Sequence, residues 1–289
     1  MAIEIKNFFD PATSTMTYVV HDPASLDAVV IDPVWDYDPA SSKLSNKSSE
    51  AVLAYIKEQK LTPKMILETH VHADHVTGAQ FFKERFPEAP LCIGERITVV
   101  QKIWRDMYGF DEKTTDIQGK VFDRLLKENE TVSAGTIQFK VLFTPGHTPA
   151  CASYLFDNAL FCGDTLFMPD SGTGRCDFPG GSAKELYNSI TSKIYSLPET
   201  TRIFVCHDYQ PGGREIQCQT SVADEKDKNI QLSRNTTEEQ YVEFRTKRDA
   251  TLPTPKLLLP SLQINIRAGQ LPPADDQGKR YLKIPVLTI

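Results

Sequence analysis

Lys64-Met65-Ile66-Leu67-Glu68-Thr69-His70-Val71-His72-Ala73-Asp74-His75 is the stretch that decides how this chain is read. Its first five residues form a short, mostly apolar run that reads as a β-strand. Immediately past the strand end, a polar turn carries His70, His72 and His75 within six residues, half of the six histidines in the protein. Neutral imidazoles are strong borderline ligands, and Asp74 between them adds a hard oxygen donor. Such density at a strand end predicts a metal site.

Working outward, the same arrangement recurs. His147 stands in Thr144-Pro145-Gly146-His147-Thr148, where Pro-Gly forces a turn directly after the apolar run Ile137-Gln138-Phe139-Lys140-Val141-Leu142-Phe143. Asp164 follows a short apolar run in Phe161-Cys162-Gly163-Asp164-Thr165, and His207 follows Ile203-Phe204-Val205-Cys206. Separate strands that each end in a potential ligand would surround a metal if gathered at one sheet edge. His21 has no such setting and reads as a surface residue.

The remaining elements alternate. Thr17-Tyr18-Val19-Val20 and Ala28-Val29-Val30-Ile31 read as strands, residues 36–49 as a surface loop rich in Asp, Pro, Ser and Lys, and Glu50 to Gln59 as a helix with Val52, Tyr55 and Ile56 on one face. Helices are expected over Gly78 to Arg85, Glu95 to Met107 and Ala183 to Ser196, with further strands at Cys151 to Phe156, Ala159 to Cys162 and Arg202 to Cys206. Residues 109–130 are charged; they read either as a loop over the site or as a surface insertion. Interleaved strands and helices place the fold in the α/β class. With no internal repeat or low-complexity linker, residues 1–289 read as one domain, with a core to about residue 210 and a C-terminal extension over about 211–289, helical and then Pro-rich.

Composition narrows the function classes. A formal charge of -6 with no local basic patch argues against nucleic acid as a partner. Met1-Ala2-Ile3-Glu4-Ile5-Lys6 lacks a signal peptide's basic start and apolar run. No uninterrupted apolar stretch reaches about 18 residues, so no membrane association is expected. The six cysteines are scattered without a CxxC pair, which predicts reduced thiols in a cytoplasmic protein.

His70-x-His72-x-Asp74-His75, then His147, Asp164 and His207, resemble the metallo-β-lactamase superfamily in residue type and order, and Asp32 after the early strand fits too. The resemblance implies an αββα sandwich of two mixed β-sheets flanked by helices, with the metal at one edge. Within the superfamily the chain is most similar to the persulfide dioxygenases, also called sulfur dioxygenases. The shared features are Thr69 to Gly78, Phe9-Asp10-Pro11, Thr15-Met16-Thr17-Tyr18, Ile31-Asp32-Pro33-Val34, Gly174-Arg175-Cys176-Asp177-Phe178 and His207-Asp208-Tyr209.

That resemblance implies a single Fe(II) per chain held by His70, His147 and Asp164, with His72, Asp74, His75 and His207 around it. Two imidazoles and one carboxylate on one face of an octahedral ion leave positions open for substrate and oxygen. The implied reaction oxidises glutathione persulfide with O2 to sulfite and glutathione. Arg175 is the candidate for gripping a glutathione carboxylate, because guanidinium matches carboxylate bidentately. Tyr209 is the candidate to offer a hydroxyl. Relatives further suggest a homo-oligomer, dimer or tetramer.

Departures from the family concern substrate more than chemistry. Cys176 stands where family members often carry threonine, and reads as a spectator thiol or as a redox-active one beside Arg175. Arg267-Ala268-Gly269 aligns where some relatives have a cysteine. The same ligand positions would also serve a binuclear zinc hydrolase of the glyoxalase II kind, cleaving a glutathione thioester with Asp164 shared between two metals. A catalytically silent metal-binding protein on the same fold is the third alternative.

Overall fold

The computed structural model describes residues 3–111 and 115–286; residues 112–114, inside the ambiguous 109–130 segment, lie outside the described residues. Strands buried on both faces read as near-continuous apolar runs, and β2 (Thr15–His21) and β3 (Asp27–Ile31) are buried at every position. β1 (Glu4–Asp10) precedes them and pairs antiparallel with β2 from Glu4–His21 to Asp10–Thr15. After β3 come a hairpin, β4 (Val34–Asp38) and β5 (Lys43–Ser45), and then β6 (Thr62–Leu67), a two-residue β7 (Val76–Thr77), β8 (Leu91–Gly94) and β9 (Arg124–Leu126). The first six-stranded sheet has the order β1-β2-β3-β6-β8-β9, with its last four strands parallel. The hairpin and β7 make a small third sheet, β5-β4-β7.

Parallel strands need crossover connections, usually helices. Here α1 (Lys47–Glu58), α2 (Ala79–Arg85) and α3 (Ile97–Tyr108) lie between successive parallel strands and cover the outer face of the sheet. The second sheet holds β10 (Thr131–Ala134), β11 (Ile137–Phe143), β12 (Ala152–Phe156), β13 (Ala159–Phe161), β14 (Arg202–Phe204) and β15 (Gln219–Ser221), in that order, with only β13 and β14 parallel. Both large sheets are mixed, as expected.

Alternation of side chains along the strands divides the core into layers. Val20, Val29, Ile31, Met65 and Leu67 of the first sheet meet Phe139, Val141, Tyr154, Phe156, Phe161 and Phe204 of the second. The intervening Val19, Val30 and Ile66 face α1 to α3. On the far side, Leu142, Leu160 and Ile203 pack against α4 (Ala183–Ser189), which continues as a π-turn over Ile190–Ile194. The result is helix, sheet, sheet, helix. Each fully buried large apolar side chain contributes about 1.5–3 kcal/mol to holding these layers together.

Three expectations fail. Residues 36–49 are not a loop: Val34–Asp38 and Lys43–Ser45 pair as a hairpin and α1 begins at Lys47. The polar residues belong to an exposed strand edge and to the turn where Asp38 accepts from Ser41 and Ala40. The 109–130 segment contains β9, which pairs with β8, and the buried Phe122. His21 is buried, not on the surface; its Nε2 lies 3.0 Å from the Tyr55 hydroxyl of α1.

The C-terminal segment contributes α5 (Val222–Lys228), α6 (Glu238–Asp249) and α7 (Leu258–Asn265), followed by a stretch without regular structure. α6 begins at a capping box in which Thr237 and Gln240 satisfy each other's backbone N–H groups. Among the described residues, no helix is long and apolar enough to cross a membrane.

Candidate metal centre

The sheet topology gathers the ligand-bearing strand ends. β3 and β6 run parallel with Ile31 opposite Leu67, so Asp32 and Glu68 leave adjacent ends. β13 and β14 run parallel with Phe161 opposite Phe204, which does the same for the turns holding Asp164 and His207. Backbone bonds from Met16 N to Cys206 O, 2.7 Å, and from Ala152 N to Thr69 O, 3.0 Å, tie the two sheets together at this edge.

Three donors converge. Nε2 of His70 and Nε2 of His147 lie 3.8 and 3.6 Å from Oδ2 of Asp164, and the donor atoms of the three residues all fall within 4.8 Å of one another. Nε2 of His70 and Oδ1 of Asp164 are buried without a hydrogen-bond partner. Buried polar atoms are rarely left unsatisfied. Two imidazole nitrogens and a carboxylate aimed at one point fit a divalent transition metal.

The far sides of the rings are held. Nδ1 of His147 donates to the Arg175 carbonyl at 2.7 Å, an oxygen that can only accept, so Nε2 keeps its lone pair for the centre. Thr69 donates its hydroxyl to Asp32 Oδ2 at 2.8 Å, which leaves its oxygen to accept from His70 Nδ1 at 3.0 Å. Asp32 also takes the Thr69 backbone N–H at 2.7 Å and sits at a left-handed φ of 48°, fixing the turn. Gly174 is required by close approach: a Cβ there would lie 2.0 Å from the Asp164 carbonyl oxygen.

The other cluster members take separate partners. His72 turns its Nε2 onto two buried carboxylates, 3.1 Å from Asp32 and 3.3 Å from Glu68. Nε2 of His207 lies 3.1 Å from Asp74 Oδ2 and 3.3 Å from Asp164 Oδ1, close enough for ion pairing but not aligned for a hydrogen bond. His75 donates Nδ1 to the Val76 carbonyl, leaving Nε2 buried and unpartnered. Asp74, His75 and His72 form a second set of mutually close donors.

Burial, reinforced by neighbouring imidazoles, pushes His70 well below its ordinary range and His75 to about 3, so both are neutral and ready to ligate. Burial lifts the Glu68 carboxyl to about 7. Burial works against the charge on His72, yet the Asp32 and Glu68 carboxylates override it and hold that imidazole well above its ordinary range.

Two residues that sequence reasoning missed support the turn. Glu68 is one; a lone charge ending a buried strand was its only signal. Asn265 of α7 is the other: its side chain donates to the carbonyls of His72 and His75, both at 2.8 Å, and accepts from Thr77 N at 2.9 Å. No local pattern announces a contact spanning 190 residues.

A cavity of 1120 Å³ opens on the centre, with Asp74, His147 and Asp164 among its lining. Arg175 and Tyr209 both line it. Arg175 is already engaged, bidentate with Asp177 at 2.6 Å and donating to the Pro253 carbonyl at 2.8 Å. Tyr209 is exposed, not core, and stacks on His207 with centroids 5.7 Å apart. Cys176 is buried, and burial pushes its thiol well above the ordinary range; this is the spectator environment rather than the redox-active one. All six cysteines are free. Among the described residues of 109–130, none lines the cavity.

A family model described as the metallo-beta-lactamase superfamily matches residues 11–207, which takes in every ligand candidate. The chain belongs to the metallo-beta-lactamase superfamily. As a metal-binding member, it resembles relatives with different names. It is 44% identical over 98% of its length to "Glyoxylase B2" of Dictyostelium discoideum, covering 96% of that protein. It is 28% identical over 92% of its length to the human protein "Persulfide dioxygenase ETHE1, mitochondrial", covering 89% of it. The crystal structure of ETHE1 from Myxococcus xanthus superposes with a TM-score of 0.73 at 29% identity, over 92% of this chain and all of that one.

Proposed function

We propose that the protein is a persulfide dioxygenase with one Fe(II) held by His70, His147 and Asp164, converting glutathione persulfide, O2 and water to glutathione and sulfite. The observation that carries this reading is the convergence of two histidines and one carboxylate, His70, His147 and Asp164, on one point, while the neighbouring His72 is held on Asp32 and Glu68. When bound, Fe(II) supplies Lewis acidity toward the persulfide sulfur and redox reactivity toward dioxygen. The likeness to the human and Myxococcus xanthus proteins supports the same assignment.

The chain's own residues bind and orient. The cavity receives the thiol carrier, and Phe167 and Phe178 on its wall exclude water near His147 and Asp164. Arg175, its guanidinium fixed by Asp177, presents a positive edge to a carrier carboxylate, and Tyr209 offers its hydroxyl. Oxygen-electrode traces with the iron-loaded protein test the reading: uptake should depend on glutathione persulfide and yield sulfite. A flat trace contradicts it.

A second reading has its own observation. The unpartnered Nε2 atoms of His75 and His207, beside Asp74 and Oδ1 of Asp164, would suit a second ion in a binuclear hydrolase. The 44% likeness to "Glyoxylase B2" points the same way. Hydrolysis of a glutathione thioester by the zinc-loaded protein is its test.

A further inference from the structure

The Arg175–Cys176 peptide group is held at both ends. Its carbonyl accepts from Nδ1 of His147 at 2.7 Å, and its N–H donates to Oδ2 of Asp249 at 2.8 Å. Asp249 closes α6, and its other oxygen takes a bond from Arg245 one turn earlier, at 2.5 Å. Both side chains are buried, at 2% and 5% exposure. Arg245 reaches back to the same segment, donating to the Thr173 carbonyl at 3.2 Å and to Gln231 at 2.8 Å. Gln231 in turn accepts from the Thr173 backbone N–H.

An ion pair this deeply buried is costly to desolvate and adds little stability over an apolar pair of similar volume. Its geometry has another use. A carboxylate on the N–H side of an amide draws the proton toward itself and polarises the group, so the carbonyl becomes a stronger acceptor. That acceptor grips Nδ1 of His147. Ligating histidines depend on such outer partners for tautomer, ring orientation and basicity.

The geometry points to Asp249, held by Arg245, as a positioning residue for the metal centre: it acts on His147 through the Arg175–Cys176 peptide. The C-terminal segment thereby sets the ligand strength of a histidine about a hundred residues earlier. The inference rests on His147 being a ligand, and holds for iron or zinc alike.

Co(II) titration of the apo protein, followed by its visible ligand-field bands, tests this. Asp249→Asn, isosteric but uncharged, should weaken Co(II) binding by about 10-fold or more and shift the bands. The discriminating step is a double-mutant cycle with His147→Ala. In that background Asp249→Asn should change the residual Co(II) affinity by less than about twofold, because its route to the metal is gone. Equal losses in both backgrounds indicate general loosening and overturn the positioning role. An affinity unchanged by His147→Ala alone overturns the ligand assignment itself. Should Asp249→Asn fail to fold, nitrogen NMR of the wild-type apo protein decides: His147 must carry its proton on Nδ1, and a proton on Nε2 contradicts the inference.

Discussion

Nε2 of His72 lies 3.1 Å from Oδ1 of Asp32, a carboxylate that also receives both the backbone N–H and the hydroxyl of Thr69. One side chain therefore fixes the turn and takes His72 out of the triad. Removing one partner of a buried, hydrogen-bonded charge pair typically costs about 3–5 kcal/mol. Asp32→Asn should destabilise the metal-free protein by that order in urea unfolding. A loss below about 1 kcal/mol would show that Asp32 is not the anchor described.

The division of the histidine cluster makes a separable prediction. His70→Ala should abolish stoichiometric iron binding, because it removes one of three donors. His75→Ala should retain most of the iron, since His75 stands outside the His70, His147 and Asp164 set. Metal analysis after reconstitution of the two variants checks this; equal losses would mean that the cluster acts as one site.

Arg175 is braced by Asp177 and the Pro253 carbonyl, so it belongs to both the cavity wall and the binding surface. Arg175→Ala should raise the KM for glutathione persulfide by roughly tenfold, the scale of one lost charge-assisted contact. The kcat should move far less. Steady-state oxygen uptake measures both, and unchanged kinetics would remove Arg175 from the substrate site.

Glu225 of α5 gives a pH prediction away from the metal. Burial lifts its carboxyl from 4.5 to about 8, although Asn229 donates to it at 2.7 Å. The folded state therefore keeps a proton that the unfolded state has released between these two values. Stability from this group is present below about pH 4.5 and declines as pH rises toward 8, by a few kcal/mol at most. Glu225→Gln should flatten that part of the profile and gain most over wild type near pH 8. Chemical unfolding at pH 5, 6.5 and 8 measures the slope; parallel profiles would place Glu225 in a better-solvated setting.

The strand ends that carry the ligand candidates were legible because their signal is local, whereas the sandwich and the choice of His70, His147 and Asp164 as one ion's ligands came with the family resemblance. Each ligand follows an apolar run, and His70, His147, Asp164 and His207 need only the sheet order to meet. Residues 36–49 were misread as a loop because Asp36 and Asp38 hid the strand alternation of Val34–Asp38. His21 was misread because Tyr55, its partner, comes from a helix 34 residues away. The supports from α6 and α7 were illegible for the same reason. Asp249 and Asn265 are ordinary polar residues in sequence, and only the packing of the C-terminal helices brings them to the ligands.

The central claim is a single-metal centre built from His70, His147 and Asp164. Metal content measured on the purified, iron-reconstituted protein tests it most directly, with glutathione persulfide-dependent oxygen uptake recorded on the same sample. The account predicts about one iron per chain and uptake that scales with it. Two tightly held metal ions per chain, with thioester hydrolysis and no oxygen uptake, would contradict it.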